Sequence, residues 1–435
     1  MLLDEIVRAQ LRGEARGIPS ICSAHAWVLR EALRVSESSP YRLIEPTCNQ
    51  VNQFGGYTGM TPADFAAFAR GLAQANQFPV GNVLLGGDHL GPSVWQQEAA
   101  ETAMQKAAEM VRAYVRAGFV KLHLDCSMRL GDDPPGGLDP EIAARRMAQL
   151  AQAAETASED TSALPRYVVG TEVPVPGGAQ EPEAGVHVTK VEDTAETIEL
   201  ARAAFRGAGL ESAWERVVAL VVQPGVEFGD DFVIPYQPEK ARDLSRFIEG
   251  QHLVYEAHST DYQTRTALTD LVQDHFAILK VGPALTFAFR EAIYALAMME
   301  DELLPRAARS DVVHVLDEVM MRRTEYWRRY YRGSDEEQAA KRKFSFSDRI
   351  RYYWPDPQVQ AALQTLLNNL NQKLLPLSLL SQFAPRQYNR IRRGELERTP
   401  EAIISDRLGE VLLDYDAACL PEQHRPFATK QPISK

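Results

Sequence analysis

The sequence predicts a (β/α)8 barrel followed by a helical region, and three observations carry this reading. Eight short apolar runs recur over roughly the first 300 residues, amphipathic segments separate them, and the runs stop at ionisable or amide side chains. Strands buried on both faces read as continuous apolar runs, and their connecting helices carry apolar residues at helical spacing. In such barrels the functional side chains stand where strand C-termini meet the following loops, so the polar run ends mark one rim.

The first two runs, Ile18 to Ala24 and Tyr41 to Ile44, end at His25 and Glu45. The loop from Asn49 to Met60 is crowded with amides and glycines, among them Asn49 and Gln53. Such a loop either hydrogen-bonds a polyhydroxylated ligand or caps its own backbone. Thr61-Pro62 then supplies an N-cap and a first-turn proline for a helix. The third run continues into Gly86-Gly87-Asp88-His89-Leu90-Gly91-Pro92. Successive strand residues face opposite ways, so Asp88 and His89 reach one site only with a bulge or twist at Gly86-Gly87.

The remaining runs end at Asp125, Glu172, Gln223, His258 and Lys280, with helices expected near 192–208, 237–249 and 261–273. This gives a catalytic barrel over 1–300. Helical patterns then take over, giving an appendage over 301–420 that packs on the barrel or on a second subunit, and a polar tail over 421–435. Within the appendage, Lys343 to Trp354 either brings Arg349 or Arg351 to the rim for an anionic or hydroxylated ligand, or packs as an aromatic interface.

With 435 residues, 45% hydrophobic and 24% charged, the chain can bury a large core. A net charge of −12 argues against general nucleic-acid binding and against an anionic membrane surface. No apolar run approaches membrane-spanning length, and Cys22, Cys48, Cys126 and Cys419 form no CxxC pair. The expectation is a cytoplasmic protein with reduced, buried thiols.

Two imidazoles, a carboxylate and an amide, from His89, His258, Glu172 and Gln223, can converge on a divalent metal with a position left open for substrate. The competing reading makes the histidines neutral hydrogen-bonding groups. Beside a metal-bound His89, Asp88 would act on a substrate hydroxyl while the metal polarises a neighbouring carbonyl. That is aldol chemistry. On a keto sugar it yields aldolysis, or epimerisation at C4 if the bond re-forms after the aldehyde has turned.

The stretches Asn49-Gln50-Val51-Asn52-Gln53-Phe54-Gly55-Gly56-Tyr57, Gly86-Gly87-Asp88-His89-Leu90-Gly91-Pro92, His123-Leu124-Asp125, Tyr255-Glu256-Ala257-His258-Ser259-Thr260-Asp261 and Leu279-Lys280-Val281-Gly282-Pro283 resemble the GatZ/KbaZ family. That family is named for a component of class II D-tagatose-1,6-bisphosphate aldolase, and the similarity covers nearly the whole chain. The resemblance implies a class II aldolase-like barrel. Some members are described as non-catalytic partners of a separate aldolase subunit, and relatives as metal-dependent C4 epimerases of unphosphorylated ketohexoses or tagaturonate. Asp88 resembles the catalytic aspartate of class II aldolases, and His89 and His258 resemble their metal-binding histidines. Gln223 stands where those enzymes use a third histidine, which leaves the metal open among zinc, manganese, nickel and cobalt, with Glu172 completing the ligand set.

Asp261 falls in a loop where class II aldolases hold phosphate, and its charge would repel a dianion. The expectation is therefore a metal-dependent ketohexose C4 epimerase interconverting D-fructose and D-tagatose, forming a homo-oligomer. Asp88 and Glu172 would move protons, unless one of them is a ligand. His25, Glu45, Asn49, Gln53, Asp125, Asp261 and Lys280 would contact substrate. The alternative is a non-catalytic subunit that supports a class II D-tagatose-1,6-bisphosphate aldolase.

Overall fold

The computed structural model describes residues 2–34, 39–158, 163–170 and 186–420. Its strands are β1 (Ile18–Cys22), β2 (Arg42–Glu45), β3 (Val83–Leu90), β4 (Lys121–Leu124), β5 (Arg166–Val169), β6 (Val217–Val221), β7 (Glu227–Phe228), β8 (Val233–Ile234), β9 (Val254–Ala257) and β10 (Phe276–Val281). Eight of them close a barrel in the order β1-β10-β9-β6-β5-β4-β3-β2, every neighbouring pair parallel. They fall on the eight apolar runs. The antiparallel ribbon β7–β8 is an insertion between β6 and its helix that no alternating pattern announced.

The expected break in β3 is present, but it lies just past the glycines. The β3–β4 register shifts between Gly87 and Leu90, and His89 takes a left-handed backbone, φ 48°. That turn lets adjacent residues share the inner rim. Gly86 serves close packing instead: a Cβ there would stand 2.6 Å from the Glu45 carboxylate.

The connecting helices bury one face against the barrel, as Val191–Gly207, Pro238–Ile248 and Arg265–Gln273 show near the expected positions. Leu3 and Ile6 of the first helix, Leu2–Leu11, pack with Ile18, Leu43, Leu84 and Ile278, an apolar floor under the strands' first halves. The strand starts also carry charged pairs, Arg42 with Asp416 and Arg166 with Asp4, and the inward-facing ionisable groups gather toward the other end, the mouth.

Beyond Leu303 the chain is helical. The apolar stretch from Val359 splits into Pro357–Asn371 and Leu377–Phe383 because Pro376 cannot continue a helix. The last helix, Pro400–Cys419, returns to the barrel. Tyr415 donates to the Thr260 carbonyl at 2.7 Å, Asp416 meets Arg42 at 2.9 Å, and Gly17 N–H donates to the Cys419 carbonyl at 2.9 Å. No helix among the described residues is long and apolar enough to cross a membrane. The 421–435 tail and Glu172 lie outside the described residues.

Candidate functional site

Alternation along the strands builds the site. Residues two apart share a face, so Lys121 and His123 of β4 point inward together, as do Glu256 of β9 and His258 just past it. Glu45, Asp88 and Lys280 join them from β2, β3 and β10, all nearly excluded from solvent. Lys121 Nζ lies 2.8 Å from Glu45 Oε1 and 2.6 Å from Glu256 Oε2. Lys280 Nζ lies 2.8 Å from Asp88 Oδ1 and 3.3 Å from Glu256 Oε1, and also pairs with Glu45. Three carboxylates against two ammonium groups leave one negative charge over.

Burial alone would push Asp88 toward its neutral acid, but His89 and Lys280 outweigh it and hold Asp88 well below the usual carboxylate range. Glu256 is held down in the same way, burial being outweighed by Lys121 and Lys280. For Lys280, burial favours the neutral amine, and Asp88 overrides it.

Above this network three imidazoles form a triangle. The ring centroids of His89, His123 and His258 are 4.9 to 5.1 Å apart. His89 Nδ1 meets Asp125 Oδ2 at 2.9 Å and His258 Nε2 meets Glu256 Oε1 at 3.0 Å. A carboxylate on one ring nitrogen fixes the tautomer and leaves the other free. His123 Nδ1 faces two partners, the His89 backbone N–H at 3.2 Å and Asp88 Oδ1 at 3.0 Å. The two exclude each other: the tautomer that donates from Nδ1 to Asp88 gives up the His89 N–H and presents Nε2, buried and without a hydrogen-bond partner, as a bare lone pair. Burial pushes His258 down to about 3, so it is neutral at physiological pH.

One donor atom each from Asp88, His123, Glu256 and His258 lies within 4.8 Å of the others. The neutral His258 imidazole, carboxylates, the orphaned His123 ring nitrogen and a surplus negative charge together fit a divalent cation. His89 stands beside this group and is not among its four.

The sequence-predicted residues divide accordingly. Asp88, His258 and Lys280 meet at the mouth, with Asn49, His89 and Asp261, around a cavity of about 90 Å³. Asp125 orients His89 and accepts from the Ser127 hydroxyl at 2.7 Å. Glu45 lies beneath, a counter-ion to Lys121 and Lys280 with no exposure for a substrate contact.

Others are corrected. The Gln223 oxygen accepts from Gly225 N–H at 2.8 Å and Val226 N–H at 3.1 Å, so the atom that would ligate metal holds its own loop. Gln53 donates to the Lys106 carbonyl at 2.9 Å, tying the amide loop to the helix Ala100–Arg116. His25 packs against Phe289 and Trp354 in a neighbouring chamber, and burial pushes it down to about 4. Asp261 accepts from Gly282 N–H at 3.0 Å and Ala284 N–H at 2.8 Å, which makes it a helix cap as well as a mouth residue.

Sequence reasoning passed over Lys121, His123 and Glu256. Two of them carried a signal, since His123 precedes Asp125, and Glu256 precedes His258, by one strand period.

A family model described as D-tagatose-1,6-bisphosphate aldolase subunit GatZ/KbaZ-like matches residues 3–420. Over 422 residues the chain is 52% identical to a Salmonella dublin protein named D-tagatose-1,6-bisphosphate aldolase subunit GatZ, covering 97% of this chain and 100% of that protein. A Klebsiella pneumoniae protein of the same name matches with the same identity and coverage. Among solved structures, a "probable tagatose 6 phosphate kinase" from Sinorhizobium meliloti 1021 is 47% identical and superposes with a TM-score of 0.86, covering 93% of this chain and all of that one. These relatives overturn the expectation of a free ketohexose C4 epimerase: near-full-length similarity of this degree leads to proteins named as aldolase subunits. The chain belongs to the GatZ/KbaZ-like family of D-tagatose-1,6-bisphosphate aldolase subunits.

Proposed function

We propose that this chain is a subunit of a class II D-tagatose-1,6-bisphosphate aldolase, working with a separate catalytic chain, and that its barrel mouth holds a divalent cation. The observation that carries the reading is 52% identity along the whole length of proteins so named. Asp88, His123, Glu256 and His258 would hold the cation. Such an ion supplies Lewis-acid polarisation of a sugar carbonyl or alkoxide when bound. His89 and Lys280 keep Asp88 ionised, Lys121 and Lys280 keep Glu256 ionised, and Asp125 orients His89.

A second reading, in which the chain itself cleaves the sugar, is favoured by Asp88 alone. Held ionised at the mouth, Asp88 is placed to take a proton from a substrate hydroxyl.

The test is to mix the purified chain with the class II aldolase chain from the same genome and follow cleavage of D-tagatose 1,6-bisphosphate and co-elution. The subunit reading expects co-elution, and a rate or lifetime of the partner that rises with this chain present. Cleavage by this chain alone would support the second reading. Neither co-elution nor any change in the partner's activity would sink the first.

A further inference from the structure

At the start of the helix that follows β10, the backbone donors that would suit an anion are already taken. Helix N-termini bind anions through free N–H groups, but at the start of Pro283–Leu303 the Asp261 carboxylate accepts from Gly282 and Ala284. An anionic ligand is not met by that helix start, and the strap around the short helix Arg349–Tyr352 offers a positive charge instead.

Arg349 is 3% exposed. Its Nη1 donates to the Tyr326 carbonyl at 3.0 Å, its guanidinium carbon lies 3.1 Å from the Tyr330 ring centroid, and its Nε has no hydrogen-bond partner. Among the described residues no carboxylate pairs with it. A buried guanidinium without a counter-ion is unfavourable unless a ligand supplies one. Arg349 lines a chamber of about 550 Å³ that Asn49, Tyr57 and His89 also line, so it opens beside the barrel mouth. Arg329 and Tyr352 stand on the same wall. The acids on that wall are engaged: Glu325 lies 3.3 Å from Arg323 Nε, and Asp125 holds His89.

We propose that this chamber is a phosphomonoester subsite, with Arg349 as the cation that meets one phosphate of a phosphorylated sugar whose polyol chain reaches toward Asp88. Arg329 adds a second, solvent-exposed charge. The subsite deepens the aldolase-subunit reading and rests on it for the sugar being a ketohexose bisphosphate. It also removes the argument for a neutral sugar, because the charge of Asp261 is turned toward backbone donors.

The experiment is calorimetric titration of the full chain with a ketohexose 1,6-bisphosphate, the unphosphorylated ketohexose and inorganic phosphate, for wild type, Arg349→Gln, Arg349→Lys and Arg329→Gln. Wild type is expected to bind the bisphosphate at least about tenfold tighter than the free sugar, with phosphate competing. Arg349→Gln is expected to lose about tenfold or more in bisphosphate affinity with the free-sugar affinity unchanged, and Arg349→Lys to recover part of it. A folded Arg349→Gln that binds the bisphosphate as wild type does would overturn the subsite. Should that variant fail to fold, wild type decides: equal affinity for the two sugars, no bisphosphate binding, or no competition by phosphate overturns it. Co-elution with the aldolase chain is read separately. Arg349-dependent binding without co-elution leaves the subsite standing and removes the subunit reading, and the reverse result removes only the subsite.

Discussion

Lys280 holds its ammonium group 2.8 Å from Asp88 Oδ1, across the barrel from β10 to β3, the two side chains being 6% and 5% exposed. The pair is the hinge of the site's charge balance. Lys280→Met would leave Lys121 as the one ammonium group of this network, with Asp88 supported only by the imidazoles, and breaking one side of a buried ion network costs about 3–5 kcal/mol. Urea unfolding should show a loss of that order, partly restored by a millimolar divalent cation that takes up the freed charge. A variant as stable as wild type would mean that the network is not ionised as described.

His123 is the proposed ligand that separates the structural site from the one expected of the strand ends. His123→Ala and His258→Ala should lower metal content after dialysis, with affinity down at least about tenfold. Gln223→Ala should retain wild-type metal, since its amide oxygen serves Gly225 and Val226. Elemental analysis reads all three. Full occupancy in His123→Ala, or loss in Gln223→Ala, would return the ligand set to the rim residues.

How far the site was legible follows from the same residues. Period-two alternation and strand-end polarity made the barrel, Asp88, His258 and Lys280 readable, because backbone geometry alone places them. His123 and Glu256 lie one period below the rim, inside apolar runs where a polar residue looks like part of the strand. Gln223 and Gln53 were not separable from ligand contacts in the sequence, because an amide that ties down a loop and one that binds a ligand have the same sequence signature. The strap bearing Arg349 was legible as an arginine-aromatic stretch that either reaches the rim or packs as an interface. Its arrival at the mouth depends on long-range packing, with Tyr262 donating to the Phe346 carbonyl and Thr286 to the Asp348 carboxylate, both at 2.6 Å.

Asp261 gives a pH signature. Burial, opposed by the Gly282 and Ala284 N–H groups, pushes it up to about 6. A carboxyl raised on folding favours the folded state while it is protonated. Its contribution is complete below the unfolded value near 3.8 and is lost as pH rises through about 6. Asp261→Asn can keep the acceptor oxygen without the charge, so it should exceed wild type in stability at pH 7 by up to about 3 kcal/mol. The difference should shrink toward zero by about pH 4. Denaturant midpoints of both proteins across that range provide the check, and a difference independent of pH would show that Asp261 titrates normally.

Arg42 and Asp416 join the barrel to the end of the chain. Arg42 starts β2, donates from Nε to the Ala32 carbonyl at 2.7 Å and meets Asp416 of the last helix at 2.9 Å, the two side chains being 2% and 3% exposed. Asp416→Ala leaves the guanidinium buried without this partner, and the expected loss is about 3–5 kcal/mol. Because Gly17 and Thr260 also bond to this helix, the barrel and the last helix should unfold in a single transition, shifted as a whole by the substitution. A double variant, Arg42→Met with Asp416→Leu, should recover much of the loss, since two apolar groups leave no charge to compensate. Calorimetry that resolved a separate early transition, with the barrel's own midpoint unmoved in Asp416→Ala, would instead make the helical region an independent domain resting on the barrel.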